Sequence, residues 1–396
     1  MHWASAAASG TDLAEILDTA LTRVQRSLSD DRADLVFLFL AAEHAGRAEE
    51  ALAAVRSALG EPHVLGCGAG GVIGGGREFE HVPAISLLAG RIPGAAVHGF
   101  HLDAGALPDP DGPPRAWHEA VGISPADDPA FVLVGDPFSL PAERLLAGLD
   151  FAYPDSVKVG GLASGAQREG EQVLFHGDRV VREGAVGVAL MGDIAITPAV
   201  AQGCRGLGPA MRITDCEGHL LQGLDEKPVL DALQEMLRDV EKRDRTLAEQ
   251  ALFLGFEMDP FDTRGEKPWL IRNLLGIDES TQGLWVGEVL RRGRRVRFHV
   301  RDRRTSIDDL ENTLARADPR PETMPHGALL FSCLGRGRTL YGAPDHDSRA
   351  FGDRFEDVPL GGFFCGGEIG PVGRDTHLHG YTSSFGLLGP RAEEAG

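Results

Sequence analysis

The chain has 396 residues, of which 42% are hydrophobic and 25% are charged. This length is too great for one simple hydrophobic core and predicts two domains. The net charge of −20 argues against binding to nucleic acid or to an anionic membrane surface. We expect a cytoplasmic protein, because no apolar run approaches the roughly 20 residues of a membrane span and the opening MHWASAAASG lacks the features of a signal peptide.

The first predicted elements form a unit of strand, helix, strand, glycine-rich loop and strand. Apolar residues recur at helical spacing over residues 11–28, and the continuous apolar run at 34–41 is typical of a buried strand. An alanine-rich helix is predicted at 43–59. The segment HVLGCG then leads as a strand into a glycine cluster, and a further strand is predicted at 82–90.

The same unit recurs twice. In the second copy, a strand at 130–136 and the helix LPAERLLAGL precede VKVGGLASG and a return strand at 184–193. In the third, GALLFSCLGRG precedes a glycine turn at 358–373 and a return strand at 379–389. Repetition of one building block is a statement about the fold. The sequence therefore predicts an α/β fold with mixed β-sheets flanked by helices, in two domains built from repeated β-α-β-loop-β units.

A different stretch separates the second and third copies, and it places the predicted domain boundary near residues 193–203. The domains are then 1–200 and 201–396. The segment EKPVLDALQEMLRDV predicts a helix with Pro228 in its first turn. A β-hairpin is predicted to turn at 291–293, and a helix after it to begin at Ser306, which stands in capping-box spacing with Asp309.

The first glycine cluster contains Gly66-Cys67-Gly68-Ala69-Gly70-Gly71, a literal G-x-G-x-x-G. A dinucleotide-binding fingerprint requires a helix that begins at the glycines and holds the pyrophosphate. Here a loop and a strand follow, so we predict no nucleotide site. We also expect no other cofactor. A tight turn with closely approaching backbones is the favoured interpretation, and a loop whose N–H groups bind a small anion is the alternative.

The third glycine turn, GGFFCGGEIGPVG, places a thiol and a carboxylate close together. Cys365 is a buried small residue or, with a histidine, a nucleophile. Glu368 either binds a ligand amine or accepts backbone N–H bonds. His377 and His379 share one face of a predicted strand, but no matching third ligand is visible, so no metal site is predicted. The five cysteines are widely spaced and predict free thiols.

A cationic strand is predicted in RRGRRVRFHVRDRR. Its arginines alternate with Val296, Phe298 and Val300, which gives the strand one apolar and one cationic face. The cationic face is either solvated and paired with acidic neighbours, or it includes an arginine, Arg301 or a neighbour, that binds a carboxylate or phosphate of a ligand.

Together these segments resemble the FIST family, the F-box and intracellular signal transduction proteins. GCGAGGVIGGGREFE, ISLLAGRIPG and VGGLASG resemble its N-terminal domain. VAQGCRGLGPAMRITDCEGHLL, WLIRNLLGID, VRFHVRD and GGFFCGGEIGPVG with HLHGYTSSFGLL resemble its C-terminal domain. The resemblance implies an intracellular sensory module for a small ligand, with amino acids or their derivatives suggested. By motif position it implies a ligand site formed by Cys67, Gly71, Arg272, Asn273, Arg301, Asp302, Cys365, Glu368 and His379.

The leading functional hypothesis is therefore a cytoplasmic sensory module that binds a small polar ligand in a cleft lined by the glycine-rich turns. Loop N–H groups and Arg301 would bind its carboxylate, and Glu368 its amine. A separate signalling partner or a homo-oligomer would carry the output. The alternatives are a thiol-dependent enzyme with Cys365 or Cys67 as nucleophile, and an interaction scaffold without a ligand.

Overall fold

The computed structural model describes residues 1–28, 32–258, 268–317 and 324–391. The chain forms two compact units. Unit 1 comprises Met1–Ala201, Glu311–Pro371 and Asp375–Gly396, and unit 2 comprises Gln202–Leu310 and Val372–Arg374. These units are defined by contacts between residues in space. The domain boundary near residue 200, which was inferred from the sequence, stays a prediction.

Strands outnumber helices throughout the described part of the chain. The strands of the first half are β1 (His2–Ser9), β2 (Leu35–Ala41), β3 (His63–Ala69), β4 (Gly71–Gly74), β5 (Arg77–Glu80), β6 (Ala84–Arg91), β7 (Ala95–Leu102), β8 (Ala130–Gly135), β9 (Lys158–Leu162), β10 (Leu174–His176), β11 (Arg179–Val181) and β12 (Ala185–Gly192). Those of the second half are β13 (Ile194–Ala201), β14 (Arg205–Glu217), β15 (Leu220–Leu224), β16 (Lys227–Pro228), β17 (Leu252–Glu257), β18 (Trp269–Asp278), β19 (Gly283–Val286), β20 (Arg295–Val300), β21 (Gly327–Cys333), β22 (Leu360–Cys365), β23 (Gly367–Val372), β24 (Asp375–His379) and β25 (Ser383–Pro390). The α-helices are α1 (Leu13–Leu28), α2 (Ala48–Ala58), α3 (Pro114–Val121), α4 (Ala142–Ala152), α5 (Val229–Asp239), α6 (Lys242–Ala248), α7 (Arg303–Arg316), α8 (Gly337–Tyr341) and α9 (His346–Arg354).

Unit 1 contains three six-stranded sheets that share one strand order. The orders are β1-β6-β2-β3-β10-β11, β7-β12-β8-β9-β23-β24 and β13-β25-β21-β22-β4-β5. In each sheet the third and fourth strands are parallel, and the strands before them pair antiparallel. The last two strands of every sheet form a hairpin. In the sequence, that hairpin lies between strands that belong to one of the other two sheets. The mixed α/β class predicted from the sequence is confirmed.

The three sheets pack around a common apolar core. Phe39, Phe331 and Phe363 meet there, with ring centroids 4.9 Å apart for Phe39 and Phe363 and 5.7 Å apart for Phe331 and Phe363. The opposite faces of the first two sheets are covered by α1 with α2 and by α3 with α4. Because their central strands are buried on both faces, the sequence shows them as continuous apolar runs.

Unit 2 is built on a closed ring of antiparallel strands. Its order is β14-β20-β17-β18-β19-β15, and β15 pairs in turn with β14. The long strand β14 closes the ring by pairing with β20 along its first part and with β15 along its last part. The ring encloses its own apolar cluster, which includes Leu254, Phe256 and Phe298, and α5 packs on it.

Two local predictions in unit 2 are wrong. The expected hairpin is replaced by longer-range pairing, because among the described strands β19 pairs with β18 and β15, whereas β20 pairs with β14 and β17. The helix α7 begins at Arg303 and is capped by Asp302, whose Oδ1 accepts the Thr305 N–H at 2.7 Å. Ser306 instead lies inside the helix and donates its hydroxyl to the Gly203 carbonyl. Within the described ranges, no helix is long and apolar enough to cross a membrane.

Candidate functional site

Each glycine-rich turn of unit 1 is preceded by a strand residue that can only be glycine. Gly66, Gly160 and Gly362 occupy matching places on β3, β9 and β22, with φ near +158° in each case (158°, 157° and 159°). A Cβ atom there would lie within 1.9 Å of a backbone carbonyl oxygen on the adjacent parallel strand. These oxygens belong to Leu38, Leu133 and Leu330. The first glycine of each pattern is therefore explained by the close approach of two strands, which leaves no room for a side chain.

The turns after these glycines are hydrogen-bonded to one another. The N–H of Gly165 donates to the Gly68 carbonyl at 3.1 Å, and the N–H of Gly366 donates to the Leu162 carbonyl at 2.9 Å. Ser164 bridges the other two turns, since its Oγ accepts the Gly70 N–H at 2.9 Å and donates to the Phe364 carbonyl. These three glycine N–H groups have protein acceptors. An anion would have to displace those bonds to bind them.

Five of the predicted site residues lie in unit 1, at or near these turns. Cys67 and Cys365 are fully buried, and a Cβ at Gly161 would meet the Cys365 sulfur at 2.4 Å. Burial raises the pKa of both thiols well above the ordinary value, and Glu368 raises that of Cys365 further. Both thiols are therefore protonated at neutral pH.

Glu368, His379 and Gly71 complete this group. Glu368 is buried and its Oε2 accepts the Thr382 N–H at 3.0 Å. His379 is also buried, with Nε2 lying 3.0 Å from the Gly370 carbonyl oxygen. A Cβ at Gly71 would lie 2.9 Å from both a ring carbon of Phe364 and a backbone oxygen of Phe79. Each residue thus has a packing or backbone-bonding role at its position.

The other four predicted residues lie in unit 2. Arg272 pairs with Glu288 at 3.0 Å, and the neighbouring Asn273 is exposed on β18. Arg301 is buried with its guanidinium 4.6 Å from the centre of the Phe253 ring. Its Nη2 also donates to the Gln202 carbonyl at 3.2 Å. Arg301 therefore stacks on an aromatic face and bonds to the backbone, as a weakly hydrated guanidinium can.

Asp302 lies beside a cavity that the sequence did not reveal. The cavity has a volume of about 320 Å³ and is lined by Arg243, Asp302, Arg303, Arg304 and Ile307; we call it the arginine cavity. Arg243 donates to Asp302 Oδ2 at 2.7 Å. Burial would raise the pKa of Asp302, but the bonds from Thr305 and Arg243 outweigh it and lower that pKa. Asp302 stays ionised, and the wall around it is cationic.

Unit 1 also holds a buried ionic network that sequence reasoning missed. Arg336 is fully buried, and its Nε donates to Asp347 Oδ2 at 3.0 Å. Ser383 and His346 also bond to the Asp347 carboxylate. Burial would raise the pKa of Asp347, but the charge of Arg336 and these bonds hold it below its usual range. Nothing in the spacing of GRGRTL and DHDS indicates that the two charges meet.

Glu78 on the hairpin β4–β5 joins the edge of this network. Burial raises the pKa of Glu78 to about 7, and the charge of Asp347 adds to the effect. Its Oε1 accepts the Ser348 N–H at 2.7 Å, while its own N–H donates to Asp345. The hairpin is thus tied to α9. In the part of the chain that the structure describes, no three His, Cys, Asp or Glu side chains are arranged around a metal position.

The sequence matches two models of one protein family. The sequence matches the FIST N domain over residues 34–227 and the FIST C domain over residues 230–371. The chain belongs to the FIST family. FIST domains are sensor modules of signal transduction. Cys67 and Gly71 fall in the FIST N match, His379 lies beyond the FIST C match, and the other predicted site residues fall inside it.

This FIST protein has relatives that match it over most of their length. It is 33% identical over 375 residues to an uncharacterised protein of Mycobacterium tuberculosis, covering 93% of this chain and 94% of that protein. A protein of Mycobacterium bovis, also uncharacterised, is 33% identical over 378 residues with the same coverage. The crystal structure of a cyanuric acid hydrolase from A. caulinodans aligns over 99% of this chain and 100% of that chain, with a TM-score of 0.36 and 10% identity.

Proposed function

We propose that this FIST protein senses a small anionic metabolite, which binds in the arginine cavity of unit 2. The observation that carries the proposal is the lining of that open cavity, which includes three arginines and one aspartate in a protein of net charge −20. Guanidinium groups bind carboxylates and phosphates through paired hydrogen bonds. The cavity is wide open to solvent, and its volume of about 320 Å³ leaves room for a small ligand.

Arg303 is the side chain we expect to bind the ligand directly. Arg243 is paired with Asp302 at 2.7 Å, and Arg304 lies 3.8 Å from Asp308. Among the described residues, Arg303 has no hydrogen-bond or ion-pair partner, and it is exposed. Its charge is therefore available without breaking an existing bond. A ligand carboxylate or phosphate would pair with Arg303, and a ligand amine would bond to Asp302.

A ligand site at the glycine-rich turns, as expected from the sequence, has weaker support. The N–H groups of Gly70, Gly165 and Gly366 already donate to protein acceptors, and Glu368 is buried against the Thr382 backbone. A thiol-dependent enzyme also lacks support, because burial keeps Cys67 and Cys365 protonated. We expect the output to pass to a separate protein or through self-association. Light scattering with and without ligand tests the second route.

Thermal unfolding of the full chain against the common amino acids, short dicarboxylates and inorganic phosphate tests the proposal. At least one anionic compound should raise the midpoint, because a ligand that binds only the folded state stabilises it. Arg303→Ala should weaken that compound's affinity about tenfold or more, the loss expected for one charge-assisted bond. Arg292→Ala removes a matched exposed arginine of unit 2, paired with Asp215, and should leave affinity unchanged. Equal losses in both variants, or no responding anion, would overturn the assignment.

A further inference from the structure

The hairpin β4–β5 is the outer part of its sheet and lies against two helices of unit 1. β4 pairs with β22, whereas β5 pairs only with β4 among the described strands. The outer edge of β5 therefore has no neighbouring strand there. It meets the beginning of α8 and of α9 instead. We call β5, residues Arg77–Glu80, the strap, because it contacts the beginning of both helices.

The strap supplies hydrogen-bond acceptors that both helices lack. In the described part of the chain, no side chain at the N-cap position of α8 or α9 accepts a backbone N–H of its helix. The Oε1 atom of Glu78 instead accepts the Ser348 N–H of α9 at 2.7 Å. The Oε2 atom of Glu80 accepts the Arg338 N–H of α8 at 3.0 Å. Because the first N–H groups of a helix have no partner within the helix, these two bonds satisfy donors that need an acceptor.

Two further features fit the strap to the helices. Asp345, the N-cap residue of α9, bonds back to the strap: its Oδ1 accepts the Glu78 N–H at 2.7 Å and its Oδ2 pairs with Arg77 Nε at 2.9 Å. Gly337 has a φ of 57°, and a Cβ there would lie 2.3 Å from Oε2 of Glu80. The bare backbone of Gly337 thus makes room for that carboxylate. Carboxylates rather than a further strand hold the outer edge of the strap.

Glu78 differs from the neighbouring aspartates because it is buried without a cation. Asp345 is paired with Arg77, and Asp347 is paired with Arg336. Glu78 is only 5% exposed, and its carboxylate forms no ion pair with a described cation. A buried carboxyl group without a cation favours its neutral form. The proton on Glu78 therefore decides the charge on the inner side of the strap.

Three elements carry the charged and titratable groups at this contact. They are Arg77, Glu80 and His81 on or beside β5, Arg336, Arg338 and Tyr341 on α8 and the turn before it, and Asp345, His346 and Asp347 on α9 and its N-cap. Burial raises the pKa of Glu78 to about 7, and the charges of Asp347 and Glu80 act in the same direction. The hydrogen bonds from Ser348 act against them. The side chain of Glu78 therefore changes its charge near neutral pH.

We propose that the protonation of Glu78 controls how firmly the strap is attached to α8 and α9. A protonated carboxyl group keeps an oxygen that accepts the Ser348 N–H, and it adds no charge beside Asp347. When Glu78 ionises, the strap gains a negative charge in a buried contact and loosens. Glu78 on a loosened strap lies in water, where its pKa returns towards the ordinary value of 4.5. The attached strap binds the proton more tightly, so attachment weakens as the pH rises from about 4.5 to about 7.

Amide hydrogen exchange of the full chain at about pH 5.5 and about pH 8 tests the proposal. Protection factors, which correct for the intrinsic exchange rate at each pH, should fall about tenfold or more for β4 and β5 at the higher pH. The hairpin β23–β24 is the control within the same molecule. Thr376 holds it on α4 through Asp150, whose carboxylate is paired with Lys158. Its protection should change by less than about twofold. An equal fall in both hairpins, or no fall in β4 and β5, would contradict the proposal.

Two variants separate Glu78 from its surroundings. Glu78→Gln keeps an oxygen for the Ser348 N–H but cannot ionise, so β4 and β5 should have the same protection at both pH values. Glu119→Gln changes an exposed glutamate of α3 and should leave the wild-type pH dependence intact. A Glu78→Gln chain whose protection still falls about tenfold would show that another group is responsible. If that variant fails to fold, the two hairpins of the wild-type chain still decide the question. The proposal concerns unit 1 alone and is independent of the arginine cavity.

Discussion

The two units use arginine in opposite ways. In unit 1, Arg336 is fully buried and bonded to Asp347, Tyr341 and the Tyr381 carbonyl. In unit 2, Arg303 is exposed at the wall of a cavity and has no partner among the described residues. A buried charge must be paired where it lies, whereas an exposed charge can exchange water for a ligand. Arg336 therefore belongs to the architecture, whereas Arg303 is the residue that we propose for ligand binding.

The largest expected effect is at the glycines beneath the turns of unit 1. Gly362→Ala would place a Cβ 1.9 Å from the Leu330 carbonyl oxygen, a clash with backbone that cannot be relieved by a side-chain rotation. We expect a loss of about 4 kcal/mol or more in the free energy of unfolding. Gly46→Ala, with open space around the added carbon, is the control and should change stability by less than about 1 kcal/mol. Urea denaturation measures both, and comparable losses would show that the close strand approach is not required.

The buried ion pair should come next. Asp347→Ala leaves the Arg336 guanidinium buried without its carboxylate, and such losses cost about 3 to 5 kcal/mol. The matched exposed pair joins Arg115 and Glu119, with 85% and 65% of their side-chain surfaces exposed. Glu119→Ala should cost less than about 1 kcal/mol. If the two variants unfold at the same urea concentration, burial does not determine how much an ion pair contributes to the free energy of unfolding.

Acid should weaken each unit through buried histidines, and His299 and His63 are the examples tested below. Burial lowers the pKa of His299 in unit 2 to about 4, as it does for His63 in unit 1. Below about pH 6.5 the unfolded chain binds a proton that the folded imidazole does not, so stability falls as the pH drops from about 6.5 towards 4. His299 is 3% exposed and should contribute about 2 to 3 kcal/mol of this loss, and the more exposed His63 less.

Stability measured by urea at several pH values separates the two histidines. His299→Gln should flatten the acid dependence between pH 6.5 and 4, because glutamine does not titrate. His63→Gln should flatten it less. Unchanged slopes in both variants would mean that carboxylates, rather than neutral buried histidines, determine the acid response.

The smallest effect on stability should occur at the arginine cavity. Arg304→Ala removes an exposed side chain whose ion pair with Asp308 is long, 3.8 Å, and should change the free energy of unfolding by less than about 0.5 kcal/mol. The same variant should still weaken binding of an anion that responds in the thermal screen. If the variant loses stability as well as binding, Arg304 has a structural role like that of Arg336, and the two units do not differ in their use of arginine.

The sequence predicted elements of both units where the local signals are strong. The run LVFLFLA became β2, buried along its whole length, and VLDALQEMLRD became α5 with its apolar face on the strand ring of unit 2. The glycine cluster was correctly predicted to lead into a strand rather than a helix, since β4 follows it. The ligand-site residues stay a prediction, divided between the two units.

Pairing at long range could not be predicted in the same way. The hairpin expected around residues 291–293 failed because the closed ring gives β19 and β20 partners that are distant in the sequence. The cap at Asp302 was missed because Ser306 and Asp309 also have the spacing of a cap, and only the three-dimensional path of the chain decides where the helix begins.

The sequence by itself determined the family, the mixed α/β class and the central strands, because these depend on residue order and apolar periodicity. Only the tertiary structure decided which polar groups meet. Arg336 and Asp347 are 11 residues apart, but His63 and His176 lie on strands that pair only within the folded sheet. The free energy of a buried charge or imidazole depends on neighbours that the fold supplies, so their roles cannot be inferred from spacing.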